Sequence, residues 1–376
     1  MKYWTRSGHR VAVLCADSRT DPDPSLLDGV EESRLHVVRC HYEYAGRVQL
    51  IERIFRHSLI ADGKYLLAYN LINALMKTQI GWIPDLVFTT SAPYEVHLVG
   101  WFLKRRFGFR WIADFRDPYT LNYHYRKKVP LSRILDRCFE KHIYETADGV
   151  VFNTNWNRRE SIAAFGLQEK DRRFFVCQNG FDPDDITPVQ RATRPEPLVV
   201  SYIGGLRGDA NERRFVQLLT RNAQALARKR VRFRFIGNGA EIFRETAKGS
   251  EGVLEAVDFC SQKALSQYWH GSHALLLLLP PSANYLGWVP QKLYSYMATG
   301  LPILALVPDG EAKDYLQAAG GHVIRDSCDE DVVAMVDALR DAHANGRISG
   351  VNCVERFNQL MLYGSLTEWM NSLTAH

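Results

Sequence analysis

Lys292, Ser295 and Thr299 follow Pro290 at a spacing of i, i+3 and i+7, so a helix would line them up along one side. Proline suits the first turn of that helix and Gly300 suits its stop. The free N–H groups of a helix start, joined by one lysine, form a natural site for a diphosphate. Leu293, Tyr296 and Met297 would make the core-facing stripe. In isolation the segment reads as an amphipathic helix with a surface lysine; only its context points to a ligand. Gly204 and Gly205 directly follow an apolar run, as a turn that brings backbone close to a phosphate does. Arg207 and Arg213, just beyond, could meet the same anion.

A second group gathers where the run Trp111 to Phe115 stops: Asp114, Arg116 and Asp117, with His97 opening the periodic stretch after Ser91-Ala92-Pro93. A carboxylate or an imidazole at such a place can accept a hydroxyl proton, and Arg116 can pair with Asp114 or hold an anion. Local sequence also allows a helix-start histidine at 97 and an N-cap at Asp117 before Pro118. Asp184-Asp185 reads as a solvated turn, not a metal site.

Short β-branched or apolar runs bounded by turn residues must position these groups: Val11 to Ala16, Leu35 to Val38, Leu86 to Thr90, Trp111 to Phe115, Val150 to Asn153 and Phe174 to Cys177. Helical periodicity fills most of the intervals, and such alternation predicts a parallel sheet covered on both faces. A segment rich in Pro, Arg and Thr, from Thr187 to Pro197, separates this half from a second of the same kind. There the predicted strands are Leu198 to Ile203, Val231 to Ile236, Leu275 to Leu279, Ile303 to Val307 and Val323 to Ile324. Predicted helices lie near 211–228, 290–299, 309–319 and 329–344, and a last one spans Val354 to Leu373. Two doubly wound domains would place their strand C-termini toward a shared cleft, outside which ligands bind. The same architecture serves epimerases, phosphorylases and transferases, so periodicity stops here.

Composition narrows the classes. The 376 residues are 46% hydrophobic and 24% charged, ordinary for two globular domains. The longest unbroken apolar stretch, Ala274 to Pro281, is far too short to cross a bilayer, and the first residues do not read as a signal peptide, so the expected location is cytoplasmic. Seven scattered cysteines without a Cys-x-x-Cys pair suggest neither zinc nor a redox centre. Net charge is only +5, yet Lys104 to Arg137 holds ten basic residues against three acidic ones. That stretch fits a solvated helix face, anionic lipid head groups at the inner membrane surface, or a phosphorylated acceptor. Nucleic acid is not expected as a partner, because the stretch carries neither a reading motif nor interleaved stacking aromatics.

The segment from Val289 to Leu304, Val-Pro-Gln-Lys-Leu-Tyr-Ser-Tyr-Met-Ala-Thr-Gly-Leu-Pro-Ile-Leu, resembles the signature helix of family 4 glycosyltransferases of the GT-B superfamily, Pro-x-Lys-x-x-Glu-Tyr-x-Ala-x-Gly-x-Pro. Weaker matches run in the family's order: Pro84 to Pro93, Trp111-Ile-Ala-Asp-Phe-Arg-Asp-Pro118, Ala147 to Val151, Asn179 to Asp182, Tyr202 to Gly205, and Ile236-Gly237-Asn238-Gly239. The Asp-Phe-Arg-Asp-Pro segment is similar to one variant of that family, which also carries a histidine shortly after the preceding strand.

The resemblance implies a GT-B fold, two Rossmann-like domains facing a cleft. Its expected divisions are an acceptor-side domain at 1–187, a linker at 188–197, a donor-side domain at 198–353, and a tail helix in 354–376 crossing back to the first domain. It implies a retaining transferase, independent of metal, passing a sugar from a nucleotide-sugar to a glycan or lipid-linked acceptor in bacterial surface polysaccharide synthesis. Donor contacts would come from Gly204, Gly205, Arg207, Arg213, Gly237, Asn238, Gly287, Lys292 and Ser295, and the catalytic groups would be Asp117, His97, Asp114 and Arg116.

This chain departs from the family in three respects. Gly287 and Ser295 stand where the family commonly has two glutamates eight positions apart, the second on the donor ribose. A charged hydrogen bond contributes about 1.5 to 3 kcal/mol, so their absence weakens donor binding without abolishing it. Gly205 stands where an arginine is usual. The first residues, Lys2 to Val11, resemble the end of the family's first helix and the entry to its second strand, so an opening strand and glycine-rich loop are expected to be missing. A non-catalytic scaffold on the same fold is the alternative these departures raise; an epimerase of similar architecture is disfavoured by the Pro-x-Lys and Asp-Phe-Arg-Asp-Pro segments.

Overall fold

The computed structural model describes the chain except residues 18–26, 41–64, 79, 123–124, 126–128, 187, 190–196, 207, 209, 259, 261, 281–285, 324–328, 345–354 and 375–376. Contacts divide it into an N-terminal unit, Met1–Gln178 with Tyr363–His376, and a C-terminal unit, Asn179–Leu362. Most of the expected linker lies outside the described residues.

In the N-terminal unit the strands are β1 (Val11–Ala16), β2 (Leu35–Cys40), β3 (Leu86–Ser91), β4 (Arg110–Phe115), β5 (Gly149–Phe152) and β6 (Phe174–Val176), with helices α1 (Lys2–Arg6), α2 (Tyr65–Lys77), α3 (Val96–Phe107), α4 (Pro130–Thr146) and α5 (Asn155–Phe165). All pairings are parallel. Local chemistry sets the helix ends: the Thr154 hydroxyl accepts the Asn157 N–H at 3.1 Å to start α5, and Gly108 and Gly166 stop α3 and α5 in the left-handed conformation that glycine adopts without strain.

The strands of this unit form two sheets, β1-β2 and β3-β4-β5-β6, and among the described residues no strand joins β1 to β3. Burial reflects the break. Every residue of β1 is only partly buried, whereas β4, flanked on both edges, buries all of its residues except Arg110. Beside β3 lies α1, whose Trp4 packs edge-on against Phe88 at 5.5 Å.

The C-terminal unit carries β7 (Leu198–Ile203), β8 (Val231–Ile236), β9 (Leu254–Val257), β10 (Ala274–Leu278), β11 (Ile303–Leu306) and β12 (His322–Val323) in one parallel sheet of order β12-β11-β10-β7-β8-β9. Its helices are α6 (Ala210–Arg221), α7 (Ala223–Arg228), α8 (Arg244–Lys248), α9 (Gln262–His270), α10 (Gln291–Thr299), α11 (Glu311–Ala318) and α12 (Asp329–Ala344). Along β10, Leu275 and Leu277 enter one core while Leu276 and Leu278 enter another, the period-two signature of a strand covered on both faces. The helix predicted over 211–228 is two helices meeting at Asn222, and β9 was not anticipated.

A final helix, α13 (Gln359–Thr374), begins in the C-terminal unit and belongs from Tyr363 onward to the N-terminal one. Trp369 stacks on Phe175 at 4.9 Å and Tyr363 on Tyr3 at 6.0 Å. Trp4 donates its indole N–H to the Thr367 hydroxyl at 2.9 Å.

Candidate functional site

In the C-terminal unit the chain leaves β7 for β8 and β9 on one side, then returns to β10, β11 and β12 on the other. The switch point is therefore between β7 and β10, and open parallel sheets bind ligands outside the strand ends at such a point. The register pairs Ile203 with Ile236, so Gly204 and Gly237 leave neighbouring strands side by side. Both have strongly positive φ, 139° and 132°. They touch so closely that a Cβ on Gly237 would sit 2.5 Å from the Gly204 carbonyl oxygen. Residues with a side chain would hold these turns apart.

Lys292, in the first turn of α10, reaches over this turn. A Cβ on Gly204 would lie 3.0 Å from both Cε and Nζ of Lys292. The ammonium donates to the Tyr202 hydroxyl and stands 3.9 Å from the centroid of the Tyr202 ring, a cation–π contact. Tyr202 is held in turn, its hydroxyl donating to the Gly205 carbonyl at 3.1 Å and within 3.3 Å of Glu212 Oε1. The other oxygen of Glu212 accepts the Gly208 N–H at 2.7 Å. Tyr296 braces the end of β7 from below: its hydroxyl accepts the Ile203 N–H at 2.7 Å and donates to the Ile203 carbonyl at 2.9 Å. The arrangement presents one cation and backbone of two glycine turns at a switch point, the means to hold a diphosphate.

Other expected donor contacts fall around this centre. Ser295 is half-buried on α10 and Gly287 is buried before it. Asn238 is exposed, and its carbonyl accepts the Leu206 N–H at 2.7 Å. Arg213 is exposed and donates Nε–H to the Gly208 carbonyl at 2.6 Å, bracing its own loop. Arg207 lies outside the described residues. Thr299, read as a face-mate of Lys292, is instead fully buried; its hydroxyl donates to the Tyr296 carbonyl at 2.7 Å and accepts the Leu301 N–H at 3.1 Å, which finishes the helix. Sequence reasoning missed Tyr202, Glu212 and Tyr296 as supports of the glycine turn. The hydroxyl on a strand residue just before a glycine pair was the available signal.

In the N-terminal unit Asp114 is the last residue but one of β4, where the Thr90 hydroxyl donates to Oδ2 at 2.8 Å and the Arg116 guanidinium stands 3.4 Å from Oδ1. Burial pushes the Asp114 carboxyl up, against the pull of Arg116 and Thr90. Arg116 also donates to the Cys177 carbonyl at 3.2 Å. Asp117 is exposed, and no helix starts at Pro118, so it is not an N-cap. The Tyr94 hydroxyl holds this turn, donating to the Pro118 carbonyl at 2.8 Å and lying 3.3 Å from the Asp117 carbonyl.

His97, expected among the catalytic groups, lies wholly within the core. Its ring stacks on Phe115 at 4.7 Å, and Nδ1 is 2.9 Å from the Thr89 hydroxyl, which also accepts the Trp111 indole N–H at 2.7 Å. Nε2 has no hydrogen-bond partner among the described residues. Burial pushes the imidazole down to about 3, so it stays neutral. The i+1 position on α3 that carries it turns inward because α3 packs along β3 and β4. Asp117 and Arg116 remain the groups of this cluster that meet solvent.

Residues 1–177 match the family of glycosyl transferase 4-like domains. Against curated proteins the sequence gives no match. Solved structures share the fold across nearly the whole chain. Sucrose-phosphate synthase from Thermosynechococcus elongatus superposes with a TM-score of 0.67 at 16% identity, covering 100% of this chain and 91% of its own. Anabaena HepE, solved in complex with UDP-glucose, gives 0.63 at 14% identity over 96% and 99%. The lipopolysaccharide outer core galactosyltransferase WaaB gives 0.53 at 16% identity over 92% and 87%. The fold is thus that of the GT-B glycosyltransferases.

Proposed function

We propose that the chain is a glycosyltransferase whose C-terminal unit holds a nucleotide-sugar donor and whose N-terminal unit offers the acceptor-side groups. The observation that carries the reading is Lys292 lying across Gly204 at the switch point between β7 and β10. The lysine supplies positive charge, and the paired turns at Gly204 and Gly237 let phosphate oxygens approach backbone. Departure of the nucleoside diphosphate leaves negative charge on its phosphates, and a fixed cation with oriented N–H groups stabilises that charge as it forms. Asp117 is the proposed acceptor of the attacking hydroxyl's proton, with Arg116 orienting an anionic acceptor group. His97 acts from the core as a positioning residue, packing under Phe115 at the end of β4. Support for a uridine diphosphate sugar comes from HepE, solved with UDP-glucose, and support for a surface-glycan acceptor from WaaB. Retention of anomeric configuration and independence of metal belong to the same proposal, as the resemblance implies.

Isothermal titration with UDP, GDP, ADP and the matching nucleosides tests the donor site. One nucleoside diphosphate should bind, and its nucleoside should bind far more weakly. If none binds, the reading fails in favour of a scaffold, the alternative motivated by glycine at 287 and serine at 295 where carboxylates would meet a donor. Product anomers followed by NMR against the donor's own configuration test retention.

A further inference from the structure

Helix α4 is built in an unusual sense. Two of its three acidic residues, Asp136 and Glu140, are fully buried, where the Tyr119 hydroxyl donates to Asp136 at 2.6 Å and the Tyr144 hydroxyl to Glu140 at 2.8 Å. The opposite side carries Leu131, 63% exposed, Ile134, 59% exposed, and Leu135, 39% exposed, followed by the exposed Cys138. Positions 131, 134, 135 and 138 are i, i+3, i+4 and i+7, a single apolar stripe. Trp101 of α3 extends it: its ring meets that of His142 edge-on at 6.1 Å, and Arg105 lies over the indole at 5.8 Å.

Cations border the stripe. Arg133, Arg137 and Lys141 are exposed at i, i+4 and i+8, which runs them along one edge of the apolar residues. Arg133 and Arg137 also line a cavity of about 370 Å³ together with Thr120 and Tyr125, a room with two guanidiniums that suits a phosphate head group. Among the exposed charged residues of α4, Glu145 alone is acidic, and it pairs with Lys141 at 3.6 Å. An apolar stripe with aromatic and basic borders is the pattern of a helix that lies in a membrane interface. A second copy of the chain would bring the same cations against themselves, so the charge favours lipid.

We infer that the outer face of α4, with Trp101, docks the protein on an anionic lipid surface. Docking of this kind is independent of the donor site, so the two readings fail separately. The test is sedimentation of the full chain with vesicles of phosphatidylcholine alone and with vesicles containing roughly one-third phosphatidylglycerol. The chain should partition onto the anionic vesicles, less so as salt rises, and hardly at all onto the neutral ones. Ile134→Glu should lower the partition coefficient at least tenfold. Arg133→Ala should lower it by about fivefold, the factor expected for one cation near an anionic surface. Because position 134 is exposed, an unchanged near-ultraviolet circular dichroism spectrum should accompany the loss, and Leu131→Glu serves as a second probe. Absence of binding to the anionic vesicles would overturn the inference, as would unchanged binding of both glutamate variants. A lipid-free dimer in sedimentation velocity that Ile134→Glu dissociates would assign the stripe to self-association and overturn it too.

Discussion

The ammonium of Lys292 stands 3.9 Å from the centroid of the Tyr202 ring and donates to its hydroxyl, so a residue of β7 sets where the α10 lysine points. Tyr202 is in turn fixed by Gly205 and Glu212. The lysine thus lies over Gly204 without needing a ligand to order it, and preorganised charge stabilises developing charge with little reorganisation.

Lys292→Ala should weaken binding of the cognate nucleoside diphosphate by about 1.5 to 3 kcal/mol, roughly 10- to 150-fold, while leaving the nucleoside almost unaffected. Isothermal titration of both ligands reads the difference. Equal binding of the diphosphate by parent and variant would remove α10 from the donor site.

Gly237→Ala and Gly205→Ala form a matched pair. At 237 the new methyl would meet the Gly204 carbonyl at 2.5 Å with φ at 132°, whereas at 205 nothing lies within 4 Å. Strain of this kind costs on the order of 1 to 3 kcal/mol. Gly237→Ala should therefore lower the urea midpoint and impair nucleotide binding, and Gly205→Ala should leave the midpoint within error of the parent. Matching midpoints for the two variants would show that the paired turns are not close-packed.

Asp117→Asn should reduce turnover by about 10²- to 10⁴-fold, the range for loss of a general base, with the nucleotide dissociation constant unchanged. A steady-state assay beside a binding titration separates the two quantities. Unaltered turnover would exclude the Asp117 carboxylate from the proton transfer.

His97 predicts a pH dependence of stability. Its folded-state value is held down to about 3 by burial, while in the unfolded chain it is about 6.5. The unfolded state therefore takes up a proton first as pH falls. The neutral ring's contribution is fully present above about 6.5 and is lost below it, by about 1.4 kcal/mol per pH unit. Asp114 shifts the other way, so the informative quantity is the difference from His97→Gln, which lacks the imidazole. Urea unfolding between pH 7.5 and 5 should show the parent losing stability faster than the variant; parallel slopes would mean that the ring is hydrated in the folded protein.

Much of the architecture was legible in the chain because fully covered strands must be short apolar runs between turn residues. β7 and β8 were read to the residue, and β10 within one, since few other structures suit Ala-Leu-Leu-Leu-Leu. β9 escaped because Leu-Glu-Ala-Val is short, is interrupted by Glu255 and lies at the sheet edge, where only Leu254 is fully buried. Gly204 and Lys292 were recognisable from type and spacing, but their contact was not, because it joins β7 to a helix 88 positions later through the strand order.

The sequence by itself determined two parallel α/β units, the turns that end their strands, and a lysine at a helix start. Tertiary packing decided which face of each helix turns inward. His97 carries a titratable ring that local sequence would leave near solvent, yet it is the residue of α3 that meets Phe115 and Thr89. In α4 Leu131, Ile134 and Leu135 stay exposed, while the acids Asp136 and Glu140 face the core. Their partners Tyr119 and Thr120 come from the loop after β4, and Tyr144 from the next turn of the helix. Buried carboxylates are tolerated only where such hydrogen bonds replace water, and those bonds exist only once the chain has folded.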